Sequence, residues 1–360
     1  MKRATRTVTI RDVARRSGVS VTTVSRVLNN RLDVAEETTK KVQAVVHDLG
    51  YGSSLAARGL RSRRTNVIGL IIPEVASHYC QEILRGVNRT IALLDKNLII
   101  YTSGVLQREN IALHERSSVG LLNGGIADGV IVVTPTATQF ATDAPLVIID
   151  PNNDNPSYPA IIATNREGAL SAVDYLISLG HRRIAHISGR RELISSVQRL
   201  QGYREALEAA GIPVDEALIE IGDFSTATAI PCVRNLLALP DRPTAIFASN
   251  DMTAIAVYEV AAEMGLRIPQ DLSVVGFDNL RESAFLFPPL TTVDQSVEKM
   301  GAMAMEILVR LVKGEPLTPD ADDAPYLVKV PTQLVVRGSC APVSPRSPTR
   351  THNADSAVSG

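Results

Sequence analysis

Between Thr65 and Cys340 the chain repeats one pattern, a short Val/Ile-rich run followed by a stretch of helical spacing. The runs are VIGLII from Val67, LIIYTS from Leu98, GVIVVT from Gly129, LVIID from Leu146, AIIAT from Ala160, RIAHIS from Arg183, LIEIGDF from Leu218, AIFASN from Ala245, SVVGFD from Ser273 and LTTVDQ from Leu290. Runs apolar on both faces must be covered on both faces, as parallel strands under helices are. The intervening segments include Gln81–Leu94, Arg166–Leu179, Val197–Ala210 and Asp251–Met264, with Gly180, Gly211 and Gly265 placed to end three of them. Ten strands exceed one compact open sheet, so the pattern predicts two doubly wound, Rossmann-like layers with a cleft between them.

Net charge conceals a division. The 360 residues carry a formal charge of −1, yet residues 1–64 hold fourteen basic side chains against five acidic ones, or +9, leaving −10 for the remainder. Such asymmetry marks the N-terminal segment as a polyanion-binding module. No apolar run is long enough for a bilayer span, and no apolar segment follows the basic N-terminus as in a secretory signal, so a cytoplasmic location without membrane contact is expected. Cys80, Cys232 and Cys340 form no metal-ligand spacing and read as free thiols, so no metal or cofactor is expected. The Pro/Ser-rich tail, 341–360, has too few large apolar residues to repay ordering and is expected to be disordered.

Thr9 to Asn30, TIRDVARRSGVSVTTVSRVLNN, reads as helix, turn, helix. Thr9 caps a first helix with Ile10, Val13 and Ala14 on one face, Gly18 supplies the turn, and Ser20 caps a second helix with Val24, Val27 and Leu28 inward. A third helix over Glu36–Leu49 would close the core, with Ala35 a weak cap. The outward face of the second helix presents residues suited to a major groove. Thr22 and Arg26 fit base edges, Val21 a thymine methyl, and Thr23, Ser25 and Asn29 phosphate oxygens, with Thr9 on the same DNA-facing side. A helical hairpin with a merely solvated polar face is the alternative.

These residues, with Gly50-Tyr51, AARGL at Ala56 to Leu60, LGHRRIAHISG, RLQGYREAL, PTAIFASNDMTAIAVYEVAAEMGLRIPQDLSVVGFDN and PPLTTVDQ, closely resemble the lactose-repressor (LacI/GalR) family over residues 7–340. The resemblance implies an all-α helix-turn-helix headpiece (1–52), a hinge (53–65) and an α/β sensor (66–340) of the type I periplasmic-binding-protein kind. Its subdomains would span 66–164 with 296–324, and 165–292 with 325–340, crossing near Thr164, Thr292 and Ala324. It further implies a hinge helix from Ser53 that puts Leu60 into the minor groove, with Arg58 on phosphates and Ala57 small enough for two hinges to meet. The implied function is a DNA-binding transcription regulator, a repressor on a palindromic operator, controlled by a small-molecule effector. A homodimer is expected, because the family's tetramer-forming helix has no counterpart after Ala341.

In doubly wound sheets, ligands sit at the strands' C-terminal ends. Those ends carry Asp150, Phe224, Asn250-Asp251, Asp278 and Gln295, with Arg199 expected to open a helix after RIAHISG. Carboxylates, amides and an aromatic ring suit a polyhydroxylated ligand, so a sugar or sugar derivative is expected, with a nucleobase or other metabolite as the alternative. The family resemblance adds Tyr79 and Ser195 to this set. Ser77-His78-Tyr79-Cys80 stands where many relatives have Asn-Pro-Phe-Phe, so effector identity does not transfer. With no tryptophan, ring stacking falls to Phe224 or Tyr79. No GxGxxG, GxxxxGK, GxSxG or HExxH is present, so an enzyme is not expected.

Overall fold

The computed structural model describes residues 8–28, 31, 33–49, 64–94, 96–102, 108–317 and 326–343. The chain divides into two compact units, Met1–Thr65 and Asn66–Gly360. In the first unit, helices α1 (Ile10–Ser17), α2 (Val21–Leu28) and α3 (Glu36–Asp48) pack around Val13, Ala14, Val24, Val27 and Val42. The apolar positions predicted to face inward do so, because their spacing puts them on one side of each short helix. At the head of α1 the Thr9 N–H and hydroxyl both donate to Asp12 Oδ2, at 3.0 and 2.6 Å. Gly18 turns at φ +69°, and Ser20 Oγ accepts the Thr23 N–H at 3.0 Å to cap α2. Ala35 makes no side-chain cap to α3.

The second unit begins with β1 (Val67–Ile72), α4 (His78–Leu94), β2 (Asn97–Thr102), α5 (Arg108–Asn123), β3 (Gly129–Val133), β4 (Leu146–Ile149) and β5 (Ala160–Ala163). It continues with α6 (Asn165–Ser178), β6 (Ile184–Ser188), α7 (Ile194–Ala209), β7 (Ile219–Ile221), α8 (Thr226–Leu237), β8 (Ala245–Ala248), α9 (Asp251–Glu263), β9 (Ser273–Asp278) and β10 (Thr291–Asp294). Last come α10 (Val297–Lys313), β11 (Leu327–Val330) and β12 (Gln333–Val335). Two six-stranded sheets result, ordered β11-β5-β4-β3-β1-β2 and β12-β10-β9-β8-β6-β7, every pairing parallel except β10 with β12. In the first lobe Ile68, Leu70 and Ile72 face α4 and α10, while Val67 and Ile71 face α5, so alternate residues of one strand serve two cores. The second lobe repeats this scheme, with Ile246 and Val274 toward α8 and α9, and Phe247 and Val275 toward α6 and α7.

Two expectations need correction. The chain's third crossing between lobes lies at Pro331-Thr332, not near Ala324, because Leu327–Val330 pairs in register with Ala160–Ala163 and stays in the first sheet. The sensor also runs past Cys340. The Ala341 carbonyl accepts from His181 Nε2 at 3.1 Å and Val343 N–H donates to Leu179 O at 3.0 Å, so the tail's first residues are docked on the second lobe. Residues 344–360 lie outside the described residues.

Helices α4 and α10 position one wall of the cleft, and they touch backbone to backbone. A Cβ on Gly86 would stand 1.9 Å from Glu298 O, and one on Gly301 would stand 2.3 Å from Ile83 O. Only glycine permits that approach. It ties the Tyr79 end of α4 to the Gln295-Ser296 turn that leads into α10.

Candidate functional site

On the headpiece, the face of α2 opposite its core carries Val21 (38% exposed), Thr22 and Arg26 in solvent, with Thr23 and Ser25 half-buried beside them. The Thr23 hydroxyl is 2.9 Å from that of Ser20, so the cap and a phosphate would compete for it. Arg26 lies 3.5 Å from Asp33, and both side chains are more than half exposed. An exposed pair of this kind is worth ~1 kcal/mol at most, so it orients the guanidinium without locking it. Asn29 and hinge residues 53–63, with Ala57, Arg58 and Leu60 among them, lie outside the described residues.

The two lobes of the sensor enclose a cavity of about 440 Å³. Tyr79, Asp150, Ser195, Arg199, Phe224, Asn250, Asp278 and Gln295 all line it. They converge because parallel strands deliver their C-terminal ends to the same edge. Several of these turns are left-handed at non-glycine residues, with φ +46° at Thr134, +55° at Asp150, +74° at Phe224, +112° at Asp278 and +54° at Ser296. Each costs on the order of 1 kcal/mol or more, and such strain persists where the surroundings fix a side chain's aim.

Arg199 organises the cleft. It lies in the second turn of α7 rather than at its start, with its side chain 6% exposed. Its Nε donates to Asn165 Oδ1 (2.9 Å), its Nη1 to Ser249 O (2.6 Å), and its guanidinium stacks 3.8 Å over the Phe277 ring. Asp278 faces the same Nη1 at 3.6 Å and accepts from Gln295 Nε2 at 2.6 Å. Asn165 adjoins the first crossing at Thr164, where Thr164 Oγ1 accepts the Thr332 N–H at 2.9 Å. A single hydrogen bond therefore links a cleft cation to the paired crossover segments. Asn250 caps α9 through the Thr253 N–H (2.9 Å) and donates to Phe224 O (3.0 Å). The Phe224 ring rests on Gly189, where a Cβ would come within 2.0 Å of it.

Burial raises the Asp278 carboxyl to about 7 against the pull of Arg199 and Gln295, and it raises Asp150 despite Arg199, Ser195 and Thr134. Tyr79 is pushed up by burial and by Asp150 and Asp278, and its hydroxyl is buried without a hydrogen-bond partner.

Asp251, grouped with Asn250 by sequence, turns inward instead of lining the cavity. Its carboxylate accepts from Leu280 N–H (2.8 Å) and Thr292 Oγ1 (2.5 Å), and burial with neighbouring Asp278 raises it to about 8. An acid raised in the folded state keeps a proton that the unfolded chain releases above 3.8, so its contribution to stability is full below that value and is lost as pH rises through about 8. Melting curves from about pH 6 to about pH 8 should show the sensor losing stability, and Asp251→Asn should flatten the decline by at least about 2 °C. A variant with the wild-type slope would show that Asp251 does not carry the dependence.

Sequence reasoning passed over Thr134, Arg190 and Asp223, which also line the cavity. Thr134 ends the run GVIVVT, so the rule that selected Asp150 applied to it as well. Asp223 lies beside Phe224 in the run LIEIGDF, within reach of the same rule, whereas Arg190 follows Gly189 and carries no pattern of its own.

A three-helix headpiece whose second helix exposes Val21, Thr22 and Arg26, joined in sequence to a two-lobed sensor with a polar cleft, defines a DNA-binding transcriptional regulator. Residues 9–54 match the family model for bacterial regulatory proteins of the lacI family, and residues 173–340 match that of the periplasmic binding protein-like domain. The repressor PurR of Vibrio atlanticus is 35% identical over 312 residues, covering 85% of this chain and 92% of that protein. Catabolite control protein A of Priestia megaterium is 34% identical over 332 residues, covering 89% and 98%. Among solved structures, the lac repressor dimer bound to operator and the anti-inducer ONPF superposes with a TM-score of 0.79 at 27% identity, covering 93% and 100% of the two chains. The complex of the transcriptional regulator CelR with cellobiose gives 0.66 at 32% identity, covering 92% and 99%. The chain belongs to the LacI family. No helix among the described residues is long and apolar enough to cross a membrane.

Proposed function

We propose that the protein is a cytoplasmic repressor that binds a palindromic operator as a homodimer and is controlled by a carbohydrate in the cleft. The observation that carries the effector reading is the convergence of Asp150, Asp278, Asn250, Gln295 and Arg199 around one cavity with Phe224 as its aromatic wall. Carboxylates and amides pair with vicinal hydroxyls, and a ring face packs on a sugar. The solved complex of CelR with cellobiose supports this choice. Kinship with repressors named PurR favours a nucleobase as the second reading. In either case the ligand would change lobe closure, and Arg199 would pass the change to the crossover segments through Asn165. For the dimer, Phe285 and Phe287 stand 86% and 96% exposed before β10, an apolar pair that a second copy would cover.

Thermal-shift screening of the full chain against sugars and nucleobases tests the effector class, since a ligand that binds only the folded state raises Tm. A stabilising sugar is expected, and a stabilising nucleobase with no stabilising sugar would overturn the carbohydrate reading. Operator affinity should also fall roughly 10³-fold between about 50 and about 200 mM salt through counterions released at the headpiece and hinge, while effector affinity changes little. Equal salt slopes for the two ligands would contradict the assignment of DNA to the +9 segment.

A further inference from the structure

Four carboxylates line the cleft (Glu74, Asp150, Asp223 and Asp278) against two guanidinium groups, Arg190 and Arg199, and no lysine. Both cations have anionic partners. Arg199 faces Asp278 at 3.6 Å, and Arg190 Nε is 3.0 Å from Glu192 Oε1. His78, also on the wall, has its Nε2 3.7 Å from Glu282.

Helix N-termini are the other usual anion holders, and the first turns of α4, α7, α8 and α9 line the cavity. Each carries a side-chain cap from its own chain. Ser77 Oγ accepts the Cys80 N–H at the head of α4 (3.4 Å), and Asn152 Oδ1 accepts the Ile194 N–H at the head of α7 (3.0 Å). Ser225 Oγ accepts the Thr228 N–H of α8 (3.3 Å), and Asn250 Oδ1 accepts the Thr253 N–H of α9 (2.9 Å). An anionic ligand would find no lysine among the lining residues and a side-chain cap on each of these four helix ends, and would meet two buried carboxylates whose charge is already costly to hold.

We infer that the cleft admits only an effector without a phosphate or carboxylate group, and that Asp150 and Asp278 exclude the anionic forms. This rests on the cleft being the effector site, and it deepens the carbohydrate reading by naming the charge class. A neutral hydroxylated ligand instead meets acceptors on Asp150 and Asp278, the amides of Asn250 and Gln295, and the buried, unpartnered Tyr79 hydroxyl. Discrimination comes from repulsion built into the wall as well as from contacts to the right ligand.

The test is calorimetric titration of the full chain with matched neutral and phosphorylated pairs: glucose, ribose and cellobiose, each against its phosphate ester, and inosine against inosine monophosphate. For whichever skeleton binds, the neutral member should bind at least about 100-fold more tightly than its ester. Asp150→Asn, which keeps the side chain's shape, should narrow that ratio. A phosphate ester that binds as tightly as its parent, or more tightly, would overturn the inference. Binding confined to the inosine pair would sink the carbohydrate reading alone, because the neutral-to-anionic ratio within that pair still decides this one.

Discussion

Arg199→Ala should destabilise the sensor by about 3–5 kcal/mol and abolish its response to effector, because truncating one partner of a buried pair leaves the other charge uncompensated. The alanine would strip Asp278, itself 4% exposed, of its cation, leave Asn165 Oδ1 and Ser249 O without their donors, and open a void against Phe277. Lysine should not rescue it. A point charge cannot reproduce the planar stack on Phe277 together with two directed N–H bonds. Arg199→Met with Asp278→Asn should recover much of the stability without recovering binding, since replacing both partners removes the unpaired charge. Urea denaturation followed by far-ultraviolet circular dichroism suits a chain without tryptophan. If Arg199→Ala unfolded at the wild-type midpoint with an unchanged slope, Arg199 would not be the organising group of the cleft.

Arg26→Ala should weaken operator binding by about 1–3 kcal/mol per half-site, compounded over two half-sites of a palindrome, and should relax the choice of base at one position. Arg26 is the one long cation on the exposed face of α2, a turn beyond Val21 and Thr22. Its pairing with Asp33 supplies a control. Asp33→Asn removes the negative charge beside Arg26 and frees the guanidinium, so affinity should rise modestly. Quantitative gel shifts on one selected site compare all three proteins. Loss on Arg26→Ala that was uniform across base substitutions would reassign Arg26 from base reading to phosphate contact.

The headpiece and the two-layer sensor were legible because both depend on periodicity, which side-chain sequence carries directly. All ten apolar runs form strands, and residues at the ends of β3, β4, β7, β8, β9 and β10 meet in one cavity for the same topological reason. What escaped was set by tertiary context. The strands β11 and β12 lie either side of Pro331 in YLVKVPTQLVV, half-buried edge strands whose weak alternation does not mark a sheet. The left-handed backbone at Asp150, Phe224 and Asp278 has no glycine to announce it. Asp251 follows Asn250 at the head of α9, yet one faces the cleft and the other the interior, a distinction of helix phase that a strand-end rule does not resolve. The Arg26–Asp33 pair depends on a loop conformation, and loops carry no period.

Fluorescence anisotropy decides whether one chain couples an operator to a small molecule. Full-length protein would be titrated onto DNA recovered by selection from a random library, with and without the ligand that raises Tm in the screen. A two-fold symmetric selected sequence is expected, with an operator affinity that changes at least tenfold with ligand, the order of a ~1.4 kcal/mol coupling between sites. An asymmetric sequence, or the same affinity with the cleft saturated as with it empty, would contradict that expectation.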